Sequence, residues 1–517
     1  MKGSHGILGT AKADFLERVR KFSFFGMAAL LVFTAFWFVP RTSNSGFSVL
    51  VIEPERFLQG SDPSWIPMAS AMCGGMLLCL IGFAYIKNSV QHDLSLGIFH
   101  VVQVSPLKRS AYLFGKFLSN FLLLLLFLGL LTAASFVTMI IRFPGKLISL
   151  YSFFSPFLCV IPGLLFVDAF ALFTDCAPGF RRSSGFSFAV FLVFFTCVLT
   201  FNCFDYNPYR LFSIFDFSGY LWMRNSISEA AKAVSGSPIT QINILTGFYT
   251  RGQNLQRLPF CGLVPSAAFL SDKAILTVFS LLLVFLSSFM LPKSQKAAAL
   301  SVKRKAGKAG DTQTKIPPFH FGLAHSEAAI LLKDQPGFWW VAAAALWIAN
   351  CFSPMDAVRS ALFPLAFAWM LPAFSRMGCL EYQTGMASVL CTISGAPARQ
   401  ALSCWHIGFS ISVLTALPVL LRLLFSGSFA ELASVLVFTV FIPSAALFLG
   451  DRTKTNRSFE VLFLVFCFLI MNVPQLIFIG RFFTATSALQ VAVAAVAAAA
   501  MMLFTFLRKR MSYLSAA

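Results

Sequence analysis

Charge is what this 517-residue sequence has least of: Asp, Glu, Lys and Arg together make 12%. A soluble domain carries about 25%, so half the charge that a water-facing surface needs is missing, and a string of soluble domains is excluded. Acids are scarcest, 20 against 40 Lys and Arg. No GxxxxGK[ST] occurs: Gly115-Lys116 runs on into Phe117, and Gly307-Lys308 sits in a polar stretch, so the chain carries no phosphate-binding loop for ATP. None of the 12 cysteines forms a CxxC pair, and no run of His stands beside them, which leaves a zinc site without ligands. A His-Glu-x-x-His, a pair of aspartates or a Ser with a base within an apolar run is also lacking, which argues against an intramembrane enzyme. The first apolar run leads to no A-x-A site, so a cleaved signal peptide is not expected.

What is abundant is apolar: 58% of residues, 62 of them Phe, with a mean hydropathy of +0.78. That surplus must face lipid. A span needs about 20 apolar residues to cross roughly 30 Å of hydrocarbon. Twelve stretches meet or approach this: 22–40, 68–86, 117–141, 149–174, 187–204, 273–292, 338–353, 359–375, 400–424, 429–450, 459–479 and 485–507. Without period-2 alternation they read as helices. With the N-terminus in the cytoplasm, 27 of the 40 Lys and Arg fall on inside segments. Much of the rest lies in the long external loop 205–272, a length exempt from the charge rule. The net charge of +20 therefore reads as topology rather than nucleic-acid binding. Most cysteines (Cys73, Cys79, Cys159, Cys197, Cys351, Cys467) lie in apolar runs as small hydrophobes. Cys203 and Cys261 flank the external loop and stand as a candidate disulfide.

The chain repeats itself. After the second span it reads Asp93-Leu-Ser-Leu-Gly97-Ile98, then Val101 and Ser105-Pro106-Leu-Lys-Arg109. At a constant offset of 288, Glu381 matches Asp93, Gly385 matches Gly97 and Val389 matches Val101, with Pro397 and Arg399 later. Leu94, Ile98, Val101 and Ser105 recur at spacings of 4, 3 and 4, as do Tyr382, Met386, Val389 and Ile393, so each set is expected on one helical face. Each half opens with a lead-in. In the first, Leu8, Ala11, Phe15, Val19 and Phe22 form an apolar stripe with Lys12, Glu17, Arg18 and Lys21 off it, as for a helix lying in the headgroup plane. The fold expected is an all-α polytopic membrane protein of about 12 helices in two six-helix halves, N-in and C-in, with amphipathic interfacial and coupling helices. Residues 1–292 form one half, 293–316 a basic linker and 317–517 the other half.

Both halves resemble permease subunits of ABC transporters of the second exporter class, and the chain is most similar to bacterial two-half permeases. The resemblance rests on Ala13-Asp-Phe-Leu-Glu-Arg-Val-Arg-Lys21, the acid–x3–Gly–x8–Pro segment, Tyr112-Leu-Phe-Gly-Lys116 and Ile330-Leu-Leu-Lys-Asp-Gln-Pro-Gly-Phe-Trp339. The second copy departs by three extra residues between Gly and Pro, and by Arg399-Gln400 in place of paired basics. The resemblance implies a transport subunit in the bacterial cytoplasmic membrane that binds no cofactor. A separate cytoplasmic ATPase, in two copies, would hold ATP and Mg. Asp93, Leu94, Gly97, Ile98, Val101, Pro106, Arg109, Glu381, Tyr382, Gly385, Met386 and Val389 would form its coupling helices, each with an acid at its start and a glycine for close approach. The two halves would make a pseudo-dimer within one chain. Asp168 inside a span, and Asn472 at a span-breaking Asn-Val-Pro, are candidate transport-path residues, with capping at the membrane surface the plainer role for Asp168. Glu431 and Glu460 read as interfacial. His92 and His100 lack a third metal ligand. The competing class is an ion-coupled secondary transporter with a duplicated bundle.

Overall fold

A computed structural model describes residues 2–38, 45–95, 108–146, 148–178, 180, 184–203, 210–239, 242–250, 255–264, 266–291, 323–332, 335, 337–383, 385–387, 390, 392, 396–472, 477–478 and 485–514. The chain is mostly helical, and each of the twelve apolar stretches carries helix. Among the described residues seven helices are long and apolar enough to cross a membrane: Trp65–Leu94, Arg109–Arg142, Leu150–Cys176, Ala267–Met290, Ala396–Phe425, Phe429–Thr453 and Ala488–Arg510. A bent pair, Gly6–Val19 with Phe24–Phe36 at 73°, makes an eighth candidate, and Phe186–Thr196 and Gly337–Phe352 are shorter apolar helices.

The distribution of polarity is that of a protein dissolved in lipid. On the helix Arg109–Arg142, Leu122, Leu126, Phe136, Val137, Ile140 and Ile141 are exposed, whereas Lys116, Ser119, Asn120, Ser135 and Thr138 are buried. In water the exposed and buried sets would be exchanged. Here the surrounding hydrocarbon accepts the apolar side chains, and the polar ones must find partners inside.

The chain forms two compact units, Met1–Arg181 with Phe194–Leu291, and Arg182–Val193 with Pro292–Ala517. The first contains α1 (Lys2–Val19), α2 (Phe22–Trp37), a second span built from α3 (Trp65–Ala69), a π turn (Ser70–Gly74) and α4 (Gly75–Ile86), then α5 (Ser89–Ser95), α6 (Arg109–Arg142) and α7 (Leu150–Cys176). α8 (Ser184–Cys203) is divided between the units; α9 (Arg210–Ile214), α10 (Tyr220–Ser235) and α11 (Ala267–Met290) complete the first.

In the second unit the order returns: α12 (Leu323–Leu332), α13 (Gly337–Phe352), then α14 (Met355–Ala357), a π turn (Val358–Leu362), α15 (Phe363–Trp369) and α16 (Leu371–Phe374). α17 (Leu380–Gln383), α18 (Ala396–Phe425), α19 (Phe429–Thr453), α20 (Arg457–Asn472) and α21 (Ala485–Leu514) follow. Val358 lies 288 residues after Ser70, so the two π turns share the offset of Asp93 and Glu381. A π turn inserts one residue into a helix, a local cost often kept where a helix needs a defined bulge.

One expectation of the fold is corrected. The fold is not all-α: Ser45–Ile52 pairs antiparallel with Ile242–Thr250 over a register slip between Ser48 and Leu50. Gln59 closes the end of this ribbon, its amide nitrogen donating to the Ile52 and Phe57 carbonyls and its amide oxygen accepting from Ile52 N–H. Within the loop 205–272, α9 and α10 supply the short helices that its length allows. Asp216 caps α10, accepting from Tyr220 and Leu221 N–H at 3.1 and 3.0 Å, and Phe217 stacks on Phe166 of α7 at 5.3 Å. Gly163 permits that approach, because a Cβ there would lie 1.7 Å from the Phe217 carbonyl oxygen. On α1 the apolar stripe divides: Leu8 is exposed, Phe15 and Val19 are half-buried, and Ala11 is buried beside Asp14 and Arg18.

Candidate functional site

In the first unit, buried charge gathers around the segment after the second span. Lys116 of α6 lies 2.5 Å from Asp14 Oδ1 on α1 and 2.8 Å from Asp93 Oδ2 on α5, so a single ammonium joins three helices. Tyr112 OH donates to Asp93 at 2.6 Å, Ser119 Oγ donates to Asp14 at 2.7 Å, and Arg18 Nε sits 3.1 Å from the same carboxylate. Helices α1 and α6 approach this closely because residue 115 is glycine: a Cβ there would stand 2.8 Å from Thr10 Cβ and 3.1 Å from the Ile7 carbonyl oxygen. Asp175, in the last turn of α7, holds the start of α5. It accepts from the Asn88 and Val90 N–H groups at 3.1 and 3.3 Å, with Lys87 Nζ at 3.6 Å. A carboxylate on the first N–H groups of a helix satisfies donors that have no partner within it.

The second unit builds a related cluster from other elements. Lys509 of α21 pairs with Glu381 of α17 and lies 3.9 Å from Asp451 Oδ1 at the end of α19. Arg508 Nη1 is 2.8 Å from Asp451 Oδ2, and Tyr382 OH donates to Asp451 at 3.2 Å. Glu327 of α12 accepts a hydrogen bond from Gln400; burial pushes its carboxyl above the usual range, and Gln400 and Lys509 oppose the rise. Glu327, Arg376, Glu381, Gln400 and Lys509 line a chamber of about 10 Å³, room for about one water. Backbone approaches backbone beside it: a Cβ at Gly450 would lie 2.0 Å from the Met377 carbonyl oxygen.

The expected coupling residues divide. Asp93 and Glu381 are both buried and paired; Glu381 lies in the first turn of α17, whereas Asp93 is the fifth residue of α5. Leu94 packs inward against a core that includes Val90, Tyr112, Leu113 and Phe117. Arg109 opens α6. The second segment is not one continuous helix, because α17 ends at Gln383 and Gly385 adopts φ +73° before the exposed Met386. Gly385 therefore serves a left-handed turn rather than close approach, its Cβ position meeting nothing within 4 Å. Gly97, Ile98, Val101, Pro106 and Val389 lie outside the described residues. Glu431 is not simply interfacial: Arg359, on the second π turn, donates to both its oxygens at 3.1 and 2.8 Å. His92 is exposed, and Cys261 is a free, exposed thiol.

Asp168 is fully buried on α7 and accepts from Asn120 Nδ2 at 2.8 Å. Asn472 is the last residue of α20. The second unit also has two apolar cavities: one of about 450 Å³ walled by Trp339, Trp340, Trp347 and Leu414, and one of about 430 Å³ between α19, α20 and α21. Neither lining carries a titratable group. Lys116, Asp14, Asp175, Asp451 and Lys509 were not singled out by spacing. Lys116 and Asp175 each stand as a lone charge at the end of an apolar run, whereas Lys509 is flanked by Arg508 and Arg510, Asp451 by Arg452, and Asp14 lies between Lys12 and Glu17. No family model, curated protein or solved structure matches the chain.

Proposed function

We propose that this chain is the membrane permease of an ATP-binding-cassette transporter, moving its substrate by export or lipid handling with ATP hydrolysed on a separate cytoplasmic subunit. On this reading it crosses the bacterial cytoplasmic membrane twelve times, with both termini inside, and its halves form a pseudo-dimer served by two ATPase copies. The observation that carries the reading is the recurrence, 288 residues apart, of an acid just after the second span, each acid locked by a buried lysine: Asp93 by Lys116 and Glu381 by Lys509. A motor acting on that segment needs it fastened to the bundle, and a strong buried ion pair is such a fastening. The motifs shared with second-class exporter permeases point to the same segment.

Asp168 favours a second reading, ion-coupled transport. It weighs less because the buried acids of α19, Glu431 and Asp451, lie at that helix's two ends, leaving no mid-span counterpart. Co-expression with a candidate ATPase tests the first reading. The intact permease should co-purify with two ATPase copies, and Ile98→Asp with Val101→Asp should abolish co-purification while the permease still reaches the membrane. Unchanged co-purification would remove these residues from the interface. Vesicle transport driven by a proton gradient alone would support the second reading.

A further inference from the structure

The polar band of the first unit holds one acid more than its cations can serve. The buried acids there are Asp14, Asp93, Asp168 and Asp175; the buried cations are Arg18, Lys87 and Lys116. Arg18 serves Asp14, Lys116 serves Asp14 and Asp93, and Lys87 serves Asp175. Among the described residues no cation lies within ion-pair distance of Asp168. Lys273, on the neighbouring helix α11, is held by Asp216. Asp168 and Asn120 are both sealed from solvent and joined by the hydrogen bond from Asn120 Nδ2 to Asp168 Oδ1. Asp168 Oδ2 and Asn120 Oδ1 are both buried with no hydrogen-bond partner. Two orphaned acceptors on touching side chains describe a missing donor. A carboxylate in such a place is costly, and neutralising it removes the cost.

We propose that Asp168 is a proton-binding site: the carboxylate takes up one proton from water on Oδ2, becoming a neutral acid whose O–H donates to Asn120 Oδ1. The side chains then form a reciprocal acid–amide pair, each donating once and accepting once, and the charge excess of the band disappears. A metal cation fits less well, since Na⁺- or Ca²⁺-like ions want several more oxygens than these two. The site stands independently of any ATPase and of the direction of transport.

Infrared spectroscopy of the purified full-length chain in lipid nanodiscs, with carboxyl-labelled aspartate, tests this. The wild type at neutral pH should show a carboxylic-acid C=O band that shifts in D2O and is missing from Asp168→Asn. That variant mimics the neutral acid, so its melting temperature should match wild type. Loss of a carboxylate band instead would show Asp168 ionised and overturn the proposal. So would a sodium-dependent rise in melting temperature that Asp168→Asn abolishes. Asn120→Leu keeps Asp168 and removes its partner, so the acid band should persist at higher frequency, and an unmoved band would refute the pairing.

Discussion

Single ionisable residues in this chain are legible mainly through what they lack. Glu327 is a case with a measurable sign. Burial raises its carboxyl above the ordinary value of 4.5, Glu381 adds to the rise, and Gln400 and Lys509 pull against it. A carboxyl with a raised folded-state pKa contributes stability that is fully present below the unfolded value. That contribution is lost as pH climbs through the folded value. Glu327→Gln stays neutral throughout. Its melting temperature should equal that of wild type below about pH 4.5 and exceed it near neutrality. A variant less stable at neutral pH than at acid pH, relative to wild type, would contradict this sign. Neither the burial nor the partner of Glu327 is visible in Ser326-Glu-Ala-Ala, where the same residue reads equally well as a helix-start acid.

Between elements, the lysine bridges set how the segment after each second span is held. Lys116 joins α1, α5 and α6, and removing it leaves Asp93 without its cation and Asp14 with Arg18 alone. Breaking a buried pair from one side costs about 3–5 kcal/mol, whereas neutral replacement of all partners is often tolerated. Lys116→Met should therefore lower thermal stability sharply, and Asp14→Asn with Asp93→Asn should restore most of the loss. A triple variant no better than the single would show that packing at Lys116, rather than charge, matters. The helices that carry these residues were legible in the sequence, because runs such as 117–141 and 429–450 are long and uniformly apolar. Which face each helix turns inward was not. Lipid lets Leu8 face out and Asp14 face in, so an apolar stripe does not mark the core. The two-stranded ribbon was hidden for another reason: its strands lie about 190 residues apart in sequence, and their pairing is a long-range event with no local turn to announce it.

At the scale of the whole molecule, the scarcity of acids becomes an arrangement. Among the described residues, the buried acids Asp14, Glu53, Asp93, Asp175, Asp216, Glu381, Glu431 and Asp451 each have a Lys or Arg within ion-pair distance. The remaining Lys and Arg are left to set orientation, which on the proposed reading is N-in and C-in. That orientation puts the loop 205–272, and with it Cys261, outside. Cys261 is a free and exposed thiol, whereas Cys73, Cys79, Cys159, Cys176, Cys379, Cys404 and Cys467 are buried. A membrane-impermeant maleimide applied to intact cells should therefore label the chain, and Cys261→Ser should remove most of that label. A cysteine placed at Lys303 in the basic linker should react only after the membrane is permeabilised. If Cys261 needed permeabilisation and the linker cysteine did not, the orientation would be reversed. The repeated segments would then face away from the compartment that holds ATP, and the proposed coupling to a cytoplasmic motor would fall with it.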